Sequence, residues 1–244
     1  MESLHKAKEE LRKIINKGNL GKEMIMVRAK PLTPNEAIGN PERNDFPLLK
    51  GKERLMQAEF RGSLGQAFTD MYGDFEGSIS DVLDMELTNN YRRAIFVASL
   101  NALTRYLGLA EGTIHCRDEG PEECGKKLVE FISQNYGSPK VALVGLQPAI
   151  ADHLARRFEL RIVDVDAENI GRCKFGLTIL DGNRDTEKVL RWCDLALVTG
   201  TTAVNQTMEP ILELASGKEV IFYGVTIAGV AKLLELRRFC PCSS

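Results

Sequence analysis

DLALVTGTTAVNQT, Asp194 to Thr207, is an apolar run that ends in three hydroxyls and a glycine, after which a helical pattern begins. A near-continuous apolar run suits a strand covered on both faces, as in a parallel sheet. The same grammar occurs twice more. Val141-Ala-Leu-Val144 runs into Gly145-Leu-Gln147-Pro148, and Val220-Ile-Phe-Tyr223 runs into Gly224-Val-Thr226-Ile-Ala-Gly229. Around these three units the pattern alternates strictly. Strands are expected over 141–145, 161–165, 176–180, 194–199 and 219–224, with helices over 147–157, 185–192, 203–215 and 226–236. Alternation of this kind defines an α/β fold with a Rossmann-like parallel sheet.

The chain before this region follows a different order. Leu4, Ala7, Leu11, Ile14 and Ile15 fall on one side of a helix over Ser3–Asn16, which Gly18 and Gly21 end. Strands are expected over Met24–Ala29, Leu55–Phe60 and Gln66–Thr69, the last two broken by Gly62 and Gly65. The pattern over 55–60 also admits a helical turn. Between them the proline-rich stretch 31–51 is a long loop, a candidate lid or subunit contact. A short helix follows over Ser80–Met85, then a strong one capped by Asn90 and ended by Gly108. Strands first and helices second is an α+β order. The polar connection 109–120 is the candidate boundary. It divides a smaller α+β domain, 1–112, from a Rossmann-like domain, 113–244. Pro121, Glu122 and Glu123 open the first helix of the second domain, which runs to about Asn135.

The net charge of −2 offers no basic stripe, which argues against nucleic acid as a partner. Apolar runs fall far short of the ~20 residues a membrane span requires. The charged N-terminus lacks the apolar core of a signal peptide. A cytoplasmic location is expected, where the six cysteines would be thiols or metal ligands rather than a disulfide framework.

In a parallel sheet all carboxyl ends share one edge, and ligands bind in the crevice there. Gly145, Gln147, Thr199, Gly200, Thr201, Thr202, Asn205, Gly224 and Thr226 therefore form a candidate site for an anionic or highly polar small molecule. Each has an ordinary reading too, as helix cap or turn residue. Asp164 and Asp166 end the next strand, about 20 residues after Gly145, where a dinucleotide fold places its ribose-binding acid. Gly145-Leu-Gln-Pro-Ala-Ile150 is not GxGxxG, so no standard pyrophosphate cradle is present. A nucleoside-type ligand stays open. His115, Cys116, Cys124, Cys240 and Cys242 are candidate ligands for a transition metal if the terminal Cys240-Pro-Cys242 folds back to the connection. GxSxG, HExxH and GxxxxGK[ST] are all absent, which weakens hydrolase, zinc-protease and P-loop readings.

Gly51-Lys-Glu53, Gly65-Gln-Ala-Phe-Thr-Asp70, Arg93-Ala-Ile-Phe-Val-Ala98 with Asn101, His115-Cys116, Val198-Thr-Gly-Thr-Thr202 with Asn205 and Thr207, and Ile221 to Gly229 together resemble the prokaryotic family known as "putative heavy-metal chelation", whose function is unknown. Some members carry a proline-rich turn where this chain has Gly224-Val-Thr-Ile-Ala228. The resemblance implies a first domain like the enolase N-terminal module, a Rossmann-like second domain and a site in the cleft between them. It makes Gln66 and Asp70 candidates for the opposite wall. Two functions follow as expectations. One is chelation of a heavy metal, or binding of a polar or anionic small molecule, in the interdomain cleft. The other is an enzyme, methyltransferase-like, that uses a nucleoside-type cofactor. A homo-oligomer is compatible with either, and whether any reaction is catalysed stays open at this level.

Overall fold

The structure is a computed structural model that describes residues 2–28, 38–46 and 54–244. Residues 31–37 and 47–51 of the proline-rich stretch, and Gly51-Lys-Glu53, lie outside the described residues.

The first half carries a four-stranded antiparallel sheet of order β3-β2-β1-β4, made of β1 (Met24–Arg28), β2 (Arg54–Phe60), β3 (Ser63–Thr69) and β4 (Phe75–Ser78). The ambiguous 55–60 segment is a strand. It pairs with β3 from Arg54↔Thr69 to Phe60↔Ser63 across a turn at Arg61 and Gly62, both with positive φ. That is the geometry of a two-residue hairpin whose twist matches its strands. Gly65 does not break β3 but lies inside it. A Cβ there would sit 2.2 Å from the Ala102 nitrogen and 2.4 Å from the Ala98 oxygen, so the glycine lets the sheet meet a helix backbone. Strand β4 was not legible in the sequence, because Phe75-Glu-Gly-Ser78 is short and broken by Gly77.

Helix α1 (Glu2–Gly18) buries Leu4, Ala7, Leu11 and Ile15. Helix α2 (Ile79–Asp84) is held by a capping box between Ser78 and Asp81. Helix α3 (Asn90–Tyr106) is capped by Asn89, whose side chain accepts from the Arg92 N–H at 2.9 Å; Asn90 is the first helical residue instead of the cap. Every residue from Arg93 to Thr104 is buried. A helix buried on all sides belongs at the centre of a structure.

The second half opens with α4 (Gly120–Tyr136) and continues through β5 (Val141–Val144), α5 (Pro148–Ala155), β6 (Leu160–Asp164), the small hairpin β7 (Cys173–Lys174) and β8 (Leu177–Thr178), β9 (Leu180–Asp181), α6 (Gly182–Trp192), β10 (Leu195–Thr199), α7 (Thr202–Asn205), α8 (Met208–Leu214), β11 (Glu219–Tyr223) and α9 (Ala228–Leu233). The five-stranded sheet has the order β11-β10-β5-β6-β9, and all its pairs are parallel. The expected strand over 176–180 is instead two two-residue pieces, β8 and β9. The expected helix over 203–215 breaks at Gln206, whose φ of 67 turns the chain between α7 and α8. The chain runs outward from β5 to β9, then returns to the other side of β5 as β10. This reversal is the topological switch point at which open α/β sheets bind ligands.

Helix α3 lies between the two sheets, against β2 and β3 on one side and α7 and α9 on the other. One apolar cluster therefore runs through both halves, from Phe60 and Ala98 to Val144, Val198 and Phe222. After α9 the chain returns along β11. The Phe222 N–H donates to the Arg237 carbonyl, and the Phe239 N–H to the Phe222 carbonyl, each at 2.8 Å. Among the described residues no helix is long and apolar enough to cross a membrane.

Candidate functional site

A cavity of about 750 Å³ opens at the carboxyl edge of the parallel sheet. The ends of β5, β6, β10 and β11 form one wall, and Phe68, Asp70 and His115 form the opposite one. Asp45 and Phe46, from the described part of the proline-rich stretch, close a further side. Arg43 in that segment ion-pairs with Glu122 and Asp152 at 2.9 and 3.2 Å, which ties it to α4 and α5.

Gly145, Gln147, Asp164, Asp166, Thr199, Gly200, Thr201, Thr202, Asn205, Gly224, Thr226 and Asp70 all line this cavity. Many of their polar atoms are already engaged. The Thr202 hydroxyl donates to the Thr199 carbonyl at 2.7 Å. Asn205 Oδ1 accepts from the Thr207 N–H and hydroxyl, at 3.2 and 2.7 Å. Gln147 caps α5 by accepting from the Ile150 N–H. Thr226 Oγ1 accepts from the Phe68 N–H at 3.1 Å, a bond that joins the two walls. Among the described residues Thr201 is the least committed hydroxyl, with one contact, at 3.4 Å, to Thr199 Oγ1.

The glycines divide in the same way. A Cβ at Gly145 would lie 2.6 Å from Thr199 Cγ2, and one at Gly200 would lie 2.8 Å from the Ile227 nitrogen. At those two positions glycine serves packing within the protein. Gly224 has a φ of +90 and meets nothing nearer than the Gly200 nitrogen at 4.0 Å, so its face toward the cavity is open.

Asp164 is held from several sides. Its oxygens accept from the Leu146 N–H at 3.0 Å, the Asp166 N–H at 2.8 Å and Asn169 Nδ2 at 3.2 Å. Burial raises its pKa above the usual carboxylate value, and these hydrogen bonds oppose the rise. Asp70 accepts from Asn90 Nδ2 at 2.6 Å.

Gln66 does not reach the cavity. Its amide donates to Gln57 Oε1 at 2.9 Å, and its oxygen accepts from the His115 N–H at 2.7 Å, so it buttresses His115 from behind. The His115 ring packs edge-on against Phe68, with centroids 5.4 Å apart. Burial lowers its pKa to about 4, so the imidazole is neutral at physiological pH. Its Nδ1 is buried without a hydrogen-bond partner among the described residues.

Two residues that hold the cleft together entered the sequence reading only through the family resemblance. Asn101, buried on α3, donates to the carbonyls of Gln66, Val225 and Thr226, and its oxygen accepts from the Gly229 N–H at 2.8 Å. Arg93 donates to the Val204 and Leu87 carbonyls. A polar residue within an apolar helical run was the available signal. Phe68, Asp45 and Lys174 also line the cavity, and nothing in their local sequence marks them.

The thiols lie apart from the cleft. Cys116, Cys124, Cys240 and Cys242 are within electrostatic reach of one another, whereas His115 faces the cavity. Cys173 is exposed and Cys193 is buried in packing, and all six are free thiols. Among the described residues no three His, Cys, Asp or Glu donors are arranged to hold a metal ion.

Fold and cleft define a protein with a Rossmann-like parallel sheet and a ligand-sized crevice at its switch point. Residues 127–238, most of that half, match the model of DUF364, the family described as "Putative heavy-metal chelation". A protein of unknown function of that family from Pyrococcus horikoshii superposes with a TM-score of 0.58 at 18% identity, over 92% of this chain and 79% of that one. Another, from Desulfitobacterium hafniense, gives 0.50 at 17% identity, over 74% and 72%. At these identities the likeness is one of fold. No curated protein matches the chain.

Proposed function

We propose that this chain is a binding protein whose cleft holds a small polar molecule that carries positive charge or a metal ion. The observation that supports this most is the make-up of the cavity. Among the described residues, Asp45, Asp70, Asp164, Asp166 and Glu187 line it, against Lys174 and Arg184. A bare anion would enter against that balance, whereas a cation or metal chelate would enter with it. His115 adds a neutral ring with an unspent nitrogen, and Thr201 adds a hydroxyl that is barely used. The family description points to a metal-ion partner in the same sense.

Native mass spectrometry with elemental analysis, on protein purified without chelators, tests this reading. A retained metal or cationic organic mass is expected, and Asp70→Asn with Thr201→Val should release it. An anionic nucleoside retained by both the parent and this variant would sink it.

The enzyme reading keeps one supporting feature, the strand order with Asp164 and Asp166 at the end of β6. A ribose would then need carboxylate lone pairs at Asp164 beyond the three bonds already made, or Asp166 in its place. An S-adenosyl ligand whose affinity collapses on Asp166→Ala would favour that reading.

A further inference from the structure

Four of the six cysteines come together from three separate places in the chain, none of them inside the family-matched residues 127–238. Their convergence is built by the backbone. Ile114 and Ser244 exchange both backbone hydrogen bonds, at 2.8 and 3.1 Å, which brings the tail with Cys242 alongside the connection with Cys116. Gly120 opens α4, and a Cβ on it would lie 2.8 Å from the Cys116 Cβ. Cys116 is therefore seated on the first turn of α4, one turn before Cys124.

The tail that carries Cys240 and Cys242 is anchored with equal care. Arg238 donates to the carbonyls of Gly224, Glu111 and Gly112 at 2.9, 3.2 and 2.6 Å. The Ser243 hydroxyl donates to the Cys240 carbonyl at 2.6 Å. Phe239 stacks on Phe131, with centroids 4.4 Å apart. Phe131 lies two turns after Cys124 on α4, so this stacking brings Cys240 alongside that helix, and Cys124 is within electrostatic reach of both Cys240 and Cys242.

We propose that Cys124 and Cys240 form a two-thiolate site for a soft, thiophilic d10 ion of the Cu(I) type, with Cys116 and Cys242 as its sulfur surroundings. Thiolates select such ions over hard ones. Structural zinc takes four ligands in a tetrahedron, and no three donors among the described residues are set for that. A linear pair of sulfurs needs only two. Binding replaces the thiol protons, which leave to solvent, and the metal keeps its oxidation state. The site is separate from the proposed cleft ligand, and the two can fail independently.

The test is an anaerobic titration of the full chain with Cu(I), in competition with a chromogenic Cu(I) chelator. One equivalent should bind, and excess Zn(II) should not displace it. Cys124→Ser and Cys240→Ser, each checked for folding by circular dichroism, should each abolish binding. Cys242→Ser, which removes a neighbour, should weaken it about 10- to 100-fold. Cys173→Ser and the cleft variant Asp70→Asn should leave it unchanged. If Cys124→Ser fails to fold, alkylation of the tail thiols in the folded parent replaces it and should block uptake. Zinc binding as tightly as Cu(I), or Cu(I) uptake that survives loss of Cys240, would overturn the proposal.

Discussion

The two walls of the cleft use polar residues in opposite ways. On the parallel-sheet wall, Thr202, Asn205, Gln147 and Thr226 have their oxygens engaged by the protein's own backbone and turns. On the facing wall, His115 keeps a buried nitrogen without a partner. A turn rich in hydroxyls is thus first a device for ending a strand and starting a helix. We propose that discrimination between ligands falls to the less committed groups, chiefly His115 and Thr201, with the Asp70 carboxylate beside them.

The walls stay in register through Asn101, so its loss should have the largest effect. Asn101→Leu keeps the volume but strands the Gly229 N–H and three carbonyls inside the protein. A cost of about 3 kcal/mol or more is expected, since each buried group left unpaired costs roughly 1–3 kcal/mol. Urea unfolding measures it. Because the apolar cluster crosses from one sheet to the other, we also propose that the halves on either side of residue 112 melt as one transition. Two transitions in the parent protein would show that the walls belong to separately stable units.

His115 sharpens the contrast through pH. Its pKa is lowered by burial from 6.5 to about 4 in the folded protein. Between those values the unfolded chain takes up a proton that the folded one refuses, so stability falls as pH drops from about 6.5 toward 4 and is fully present above 6.5. The loss from this one group is on the order of 3 kcal/mol. His115→Gln, which does not titrate, should flatten that part of the stability profile. An unchanged profile would mean that the ring is better solvated than its position implies.

The parallel half was largely readable from sequence because each of its longer strands is a continuous apolar run bounded by turn chemistry. Val141–Val144 and Leu195–Thr199 announce themselves in this way. The breaks were less readable. Gln206 adopts a left-handed conformation that its residue type does not advertise, and Gly65 resembled a strand breaker because the helix backbone that needs it is distant in sequence. The three turns of the cleft were visible, but the commitment of their hydroxyls was not, since it depends on which carbonyl lies within about 3 Å. Gln66 shows the limit best. It sits in the right segment and on the same strand face as Phe68, yet its amide is spent on Gln57 and the His115 N–H, partners that are distant in sequence.

Gly200 and Gly224 distinguish packing from access. Gly200→Ala should cost about 1–3 kcal/mol, because its methyl group would meet the Ile227 backbone. Gly224→Ala should cost about 1–2 kcal/mol, from its left-handed backbone alone. Only the second adds a methyl group to open cavity space and should weaken the retained ligand. Equal losses of ligand, once stability is matched, would mean that the two glycines do not differ in role.

The smallest effect is the most discriminating, because it compares neighbours within one motif. Thr202 is buried and its hydroxyl donates to the Thr199 carbonyl at 2.7 Å, so Thr202→Val should cost about 1 kcal/mol. Thr201 is only partly buried, and its one hydroxyl contact among the described residues is at 3.4 Å, at the edge of hydrogen bonding. Thr201→Val should therefore stay within about 0.5 kcal/mol of the parent. If Thr201 faces the ligand, its variant should bind less well at unchanged stability, whereas Thr202→Val should lose stability and retain binding once refolded at the same occupancy. Denaturant midpoints, paired with the mass spectrum of the native protein, read both quantities from one preparation. The reverse pattern would make the buried hydroxyl the ligand contact and the exposed one the cap.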